Sequence, residues 1–291
     1  MAQGVQTGLL RAIAAYAIWG LLPLYFLPLR AVDPGEVVAA RILGSVVLLL
    51  GLGVALGRTG RLRAALTTPR VLAALTASAL LISINWLGYI WAVQHRHVLE
   101  ASLGYFLNPL VSMVLGVAFL GERLTRLQLA AVALAVAGVA VLASGAALAG
   151  LWISLTLAIS FGLYGLVRKL TPVDALEGLA VETLLLAPAS AGYIWWLAQG
   201  DRLSFGSGGV VTGFLLAGGV VTAIPLLLFA AAARVLRLTT MGVLQYLAPS
   251  LQFAVAVLLL GERLTLAHLI CFSLIWAGLA LYVVSATRRA A

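Results

Sequence analysis

The chain has 291 residues, 63% of them hydrophobic and only 9% charged. A soluble globular protein carries about 25% charged residues, and so few could not cover the surface of a water-soluble protein this long. The net charge of +9 comes from basic residues in short clusters between apolar runs, which is a topology signal and excludes a nucleic-acid footprint.

A helix needs about 20 mainly apolar residues to span a bilayer. Ten such runs follow one another, at 8–29, 34–57, 70–94, 99–120, 125–145, 149–168, 175–198, 209–233, 238–260 and 264–286. They predict an all-α polytopic membrane protein with ten transmembrane helices. The first run holds Trp19, Pro23 and Pro28 and no small-residue cleavage site, so no cleavable leader is expected. The breaks, such as GRTGRLRAALTTPR and QGDRLSFGSGG, are too short to hold a soluble domain. The single cysteine, Cys271, sits inside the tenth run, which argues against a disulfide framework and a metal cluster.

With the N-terminus in the cytoplasm, thirteen Lys and Arg fall inside, four fall outside, and Arg41 lies within a span. That bias predicts a multi-pass protein of the cell inner (plasma) membrane with both termini cytoplasmic.

LGERLT occurs twice, at Leu120–Thr125 and Leu260–Thr265, 140 residues apart. More matches surround it. GYFLNPLVSMVLG from Gly104 aligns with LQYLAPSLQFAVA from Leu244, and Gly138 falls against Gly278. Upstream, WGLLPLYF at Trp19 meets FGLYGLVR at Phe161, and AARIL at Ala39 meets AVETL at Ala180. The chain reads as two five-helix repeats, 1–146 and 147–291. Five is odd, so the second repeat enters the membrane upside down, the inverted architecture of many alternating-access transporters.

Charged groups within a bilayer are costly and usually functional. Arg41 lies about seven residues into the second span, roughly 10 Å deep, and Glu182 lies about as deep in the seventh from the other side. Local partners are expected for each, Arg41 with Glu100 and Glu182 with Arg237, as gating or coupling groups. Against this stands the plainer reading, that Arg41 snorkels and Glu182 fixes packing. Polar and aromatic residues within the runs form a second set: Tyr16, Trp19, Asn85, Trp86, Tyr89, Tyr105, Asn108, Tyr164, Gln245 and Tyr246. Lipid-facing Trp and Tyr prefer the interfaces, so these are expected to line a substrate cavity. Interhelical glue is the alternative for any one of them.

EASLGYFLNPLVSMVLGVAFLGERLT from Glu100, with NWLGYIWAV from Asn85, YGLVRK from Tyr164 and ETLLLAP from Glu182, resembles the RarD group of the EamA family. That family belongs to the drug/metabolite transporter superfamily. The resemblance implies ten helices, inverted repeats and export or exchange of small metabolites across an inner membrane.

A secondary transporter of a small metabolite or drug-like solute, working by alternating access, is therefore the expected function. Its partners are that solute and the lipid bilayer, with no nucleic acid and no nucleotide, since no GxxxxGK[ST] occurs. No cofactor and no metal are expected. A channel or a membrane scaffold is the runner-up. An intramembrane enzyme ranks lower: Asp33, Asp174 and Asp201 lie in loops, and His95 and His97 are spaced i, i+2 with no third ligand.

Overall fold

The structure is a computed structural model that describes residues 2–94, 98–144, 151–259 and 266–287, and every regular element among them is helical. In chain order they are α1 (Ala2–Phe26) with a 3-10 turn at Leu27–Leu29, α2 (Pro34–Ala55), α3 (Thr59–Thr67), α4 (Pro69–Gln94) and α5 (Val98–Leu120). Then come α6 (Arg126–Ala143), α7 (Leu151–Leu170), α8 (Ala175–Gln199), α9 (Gly209–Val235), α10 (Leu238–Gln245), α11 (Leu247–Leu258) and α12 (Leu266–Thr287). Among the described residues six helices are long and apolar enough to cross a membrane, and α6 and α12 carry shorter apolar stretches. The protein is an all-α, polytopic membrane protein, with helix in every expected span.

Two elements depart from the sequence reading. The ninth span is interrupted at Tyr246, between α10 and α11. Pro249 explains it: with no N–H it leaves the Gln245 carbonyl unpaired, and its ring crowds that carbonyl. The expected loop after α2 contains α3, whose Ala65 packs with Val71, Leu75 and Val181. Arg58, Arg61 and Arg63 stay at its polar side, so the segment lies on the bundle end without crossing it.

Helix ends alternate between two faces. The N-terminal face gathers the α2–α4, α7–α8 and α9–α10 connections around Asp174. Arg61 lies 3.2 Å from Asp174 and Arg58 3.6 Å away, and Arg234 is hydrogen-bonded to it. The Arg234 hydrogen bond, against the opposing cost of burial and helped by the Arg234, Arg58 and Arg61 charges, holds the Asp174 carboxyl below its ordinary value. At the opposite face, Glu36 is fully buried and accepts the Ser204 N–H at 2.9 Å and the Phe205 N–H at 2.8 Å. One carboxylate at the start of α2 thereby fastens the α8–α9 loop.

The first LGERLT closes one helix, caps the next and reaches a third. Gly121 has φ +63, a left-handed conformation that closes α5 and favours glycine. Thr125 caps α6 reciprocally: its Oγ1 accepts the Gln128 N–H at 3.2 Å, and Gln128 Oε1 accepts the Thr125 N–H at 3.0 Å. Glu122 reaches away to α10, accepting the Leu238 N–H at 2.6 Å and the Thr239 N–H at 2.8 Å. A carboxylate there satisfies two orphan donors and meets the positive end of the helix dipole. The second LGERLT, with Arg263, lies outside the described residues.

Helix pairing is reciprocal between the halves. α1 packs on α9 as α7 packs on α4, α5 packs on α7 as α10 and α11 pack on α1, and α6 meets α12. Single residues repeat the relation. A Cβ on Gly138 would lie 2.9 Å from the Cys271 carbonyl oxygen, and one on Gly278 would lie 2.7 Å from that of Ala131. One on Gly20 would lie 2.5 Å from Leu251, and one on Gly162 2.6 Å from Val111. Residues aligned in the sequence thus meet partners that are themselves aligned, 131 with 271 and 111 with 251.

Because a backbone carbonyl cannot step aside as a side chain can, Gly278→Val is expected to destabilise the α6–α12 contact by about 1–3 kcal/mol. Gly51→Val, where a Cβ meets nothing within 4 Å, should leave stability unchanged. Melting of the purified variants in detergent, followed by size-exclusion fluorescence, checks the contrast.

Candidate functional site

A cavity of about 590 Å³ runs from the middle of the bundle to the face opposite the N-terminus, where the exposed Leu27 and Arg30 form its rim. α1 contributes Tyr16, Trp19, Pro23 and Phe26; α4 contributes Ile82, Asn85, Trp86 and Tyr89; α5 contributes Tyr105 and Asn108. These recur at intervals of three, four and seven, so each helix presents one continuous face to the cavity. Arg41 of α2, Phe161 of α7, Thr222 of α9, Gln245 of α10 and Gln252 of α11 complete the wall.

Eight of the expected cavity residues line it: Tyr16, Trp19, Asn85, Trp86, Tyr89, Tyr105, Asn108 and Gln245. Tyr164 and Tyr246 do not. Tyr164 is fully buried below the cavity, stacked on Phe229 at 5.9 Å, and Tyr246 is buried in a separate core with Val243, Cys271 and Ile275. Tyr246 sits at the turn between α10 and α11, and that break aims it away from the face Gln245 presents.

Several wall residues also join helices. Asn85 donates to the Leu157 carbonyl at 2.8 Å, and the Tyr16 hydroxyl donates to the Met241 carbonyl at 3.1 Å. Gln252 donates to the Trp19 carbonyl at 3.1 Å. That carbonyl would ordinarily bond the residue four further on, which is Pro23 and has no N–H; a backbone group freed within the membrane is thereby satisfied. Asn108 Oδ1 is buried without a hydrogen-bond partner.

Below the cavity lies an aromatic floor. Trp19 meets Phe161 at 5.7 Å edge to face and Phe229 at 5.6 Å, and Tyr16 meets Trp19 at 5.7 Å. Trp19 and Phe161 are aligned positions of the two halves, facing each other at the centre. Beneath the floor Glu182 pairs with Arg168 at 3.4 Å, both side chains 1% exposed. Ser78 of α4 donates to the same Glu182 oxygen.

This corrects the expected Glu182–Arg237 pair. Arg237 instead donates to the Arg123 carbonyl at 2.7 Å and lies 3.8 Å from Glu122. Arg168, in the last turn of α7, counts in the sequence only as one of the cytoplasmic basic residues. Its side chain turns inward because Gly178 carries no Cβ: the guanidinium fills that space. The sequence signal that could have found it is the pairing of a buried-depth carboxylate with a glycine one turn before it on α8.

Arg41 is part of the cavity wall. Its Nε donates to Thr222 at 2.7 Å, and its guanidinium carbon lies 5.5 Å from the Phe26 ring centre and 5.3 Å from that of Trp86. The Glu100 side chain expected beside it lies outside the described part of the structure, as do His95 and His97.

Residues 6–144 match the EamA-like transporter family. Protein RarD of Escherichia coli (strain K12) is 42% identical to this chain, covering 98% of it and 96% of that protein. Protein RarD of Streptomyces exfoliatus is 45% identical, over 98% of this chain and 90% of that one. An uncharacterized transporter of Vibrio cholerae is 44% identical, over 97% and 93%. A crystal structure of a protein 22% identical to this one superposes with a TM-score of 0.77, over 95% and 96% of the two chains. That last likeness concerns the fold alone.

Proposed function

The chain belongs to the EamA-like transporter family, in its RarD group, and from that premise we propose that it is a secondary carrier working by alternating access. It moves a small metabolite or drug-like solute across the inner membrane as an exporter or exchanger. Residues 1–146 and 147–291 act as two inverted repeats, with both termini and the N-terminal face in the cytoplasm.

The observation that carries this reading is a reciprocal scaffold in a one-sided state. Helices and close-packed residues pair the same way in both directions, yet the cavity opens at one face only. At the other face the aromatic floor, the Arg168–Glu182 pair and the Glu122 cap on α10 lie in its path. If the halves exchange their local packing, the open and closed ends exchange too. A second state of comparable energy is then available without new contacts, which is the population balance a carrier needs. A channel would need both ends open together. With no nucleotide motif, a proton gradient or the solute's own gradient supplies the drive.

A test needs no knowledge of the solute. In a Cys271→Ser background, Val38→Cys reports on the cavity and Thr183→Cys on the buried region under the floor. A bulky maleimide reacting at position 38 from outside the cell should hold the cavity open and suppress reaction at position 183 from the cytoplasm. Simultaneous reaction at both positions would refute alternation, and reaction at position 38 only from the cytoplasm would reverse the orientation.

A further inference from the structure

The cavity wall carries two arginines, Arg30 at the rim and Arg41 in the interior, and among the described residues no Asp or Glu lines it. Arg30 faces solvent. Arg41 does not: its Nε is committed to Thr222, and two aromatic rings flank its guanidinium. A hydroxyl and two rings orient a cation without neutralising it, and an uncompensated charge at membrane depth is expensive.

Comparison of the halves shows what is missing. In the second half Glu182 is matched by Arg168, a complete buried pair. The aligned positions of the first half are Arg41 and Phe26. There a ring stands where the other half places the opposite charge. Among the described residues, the same scaffold thus supplies both ions on one side and a cation alone on the other, that cation facing the open cavity.

A second observation is independent of charge. Asn108, 1% exposed, lines the cavity with its Oδ1 unpartnered. A buried acceptor without a donor is destabilising, so a ligand bearing a hydroxyl or N–H would recover what the protein leaves unmet. The wall also carries Trp19, Trp86, Tyr89 and Tyr105, which offer ring faces and edges to a flat body. The volume of about 590 Å³ suits a drug-sized solute, within the usual range of roughly 300–1,000 Å³.

Resting on the carrier reading above, we propose that the transported solute is an organic anion with a flat apolar body, its acid group held by Arg41 and a donor group held by Asn108. The guanidinium fork takes a carboxylate through its two remaining nitrogens. The aromatic wall takes the body by stacking, and the floor keeps the bound anion apart from the Arg168–Glu182 pair. A cationic solute finds no counter-charge among the described residues of the wall and meets repulsion from Arg41.

Three probes of similar shape separate the classes: 4-hydroxycinnamate, its neutral methyl ester and cationic tyramine. Binding to the purified full chain is read by tryptophan fluorescence, since Trp19 and Trp86 are in the wall. The anion should bind at least about tenfold more tightly than the other two. Arg41→Gln should weaken the anion by roughly tenfold or more while leaving the ester unchanged, Arg41→Lys should recover part of the loss, and Asn108→Ala should weaken the anion and the ester alike. Equal binding of all three probes, preference for tyramine, or no binding of the anion would each overturn the proposal. Should Arg41→Gln fail to fold, the charge selectivity of the unaltered protein and the Arg41→Lys result decide it alone. Counterflow of the same probes in liposomes keeps the two readings apart. Selective binding of the anion without counterflow refutes the carrier and leaves the site standing, whereas counterflow of ester or amine without the anion refutes the solute class and leaves the carrier.

Discussion

Glu182→Gln is expected to open the N-terminal face. The closed face is built around a neutral pair: Arg168 and Glu182, each 1% exposed and 3.4 Å apart. Glutamine keeps the shape and an acceptor for Ser78 but leaves the arginine charge buried alone. Removing one member of a buried pair costs about 3–5 kcal/mol, whereas replacing both with neutral groups is often harmless. That penalty applies only while Arg168 is out of water, so it falls on the closed state and shifts the population toward the state in which Arg168 is hydrated. With Thr183→Cys as reporter, cytoplasmic labelling should accelerate by about a hundredfold or more in the Glu182→Gln variant. Adding Arg168→Met should restore slow labelling. If the single variant labels as slowly as its parent, the pair does not hold the face shut. Where a proton gradient supplies the drive, accumulation should be lost in Glu182→Gln while exchange between bound solutes persists, because glutamine cannot take up and release a proton as the gate moves.

Glu36→Ala is the second large effect. Its carboxylate is fully buried at the start of α2 and accepts the backbone N–H groups of Ser204 and Phe205. Alanine would leave both donors unpaired, at about 1–3 kcal/mol each. The α8–α9 loop should come free at the far face, so the melting temperature should drop and protease should cut within residues 200–208. Glu36→Gln retains one acceptor oxygen and should fall between. Unchanged melting and an intact loop in the alanine variant would remove Glu36 from the forces that organise this face.

The cavity was partly legible in the chain. Asn85, Trp86 and Tyr89, and Tyr16 with Trp19, could be read as shared faces because helix geometry converts spacing into direction. Tyr164 and Tyr246 were misread by the same rule. Mid-span depth tells that a ring faces the bundle, and does not tell which compartment of the bundle it meets. Glu122 was visible as part of a repeated phrase, but its partner, the start of α10, lies 116 residues away and leaves no mark beside it.

The sequence by itself determined the all-α, membrane-spanning class and the placing of helix in every expected span, and it carries the proposed relation between the halves. Each of these rests on a one-dimensional quantity, the apolar length that bilayer thickness demands or the recurrence of residues at a fixed offset. The pairing of the charges was decided only by the tertiary structure. An arginine side chain is long enough to snorkel, to cap or to turn inward, and the space open to it is set by other helices. Arg168 turns inward because Gly178 of α8 leaves room beside Glu182, Arg237 stays at the surface because Glu122 and the Arg123 carbonyl are there, and Arg41 faces the cavity because Thr222 of α9 fixes its Nε. Those neighbours are distant in the chain, so their effect exists only once the helices have packed.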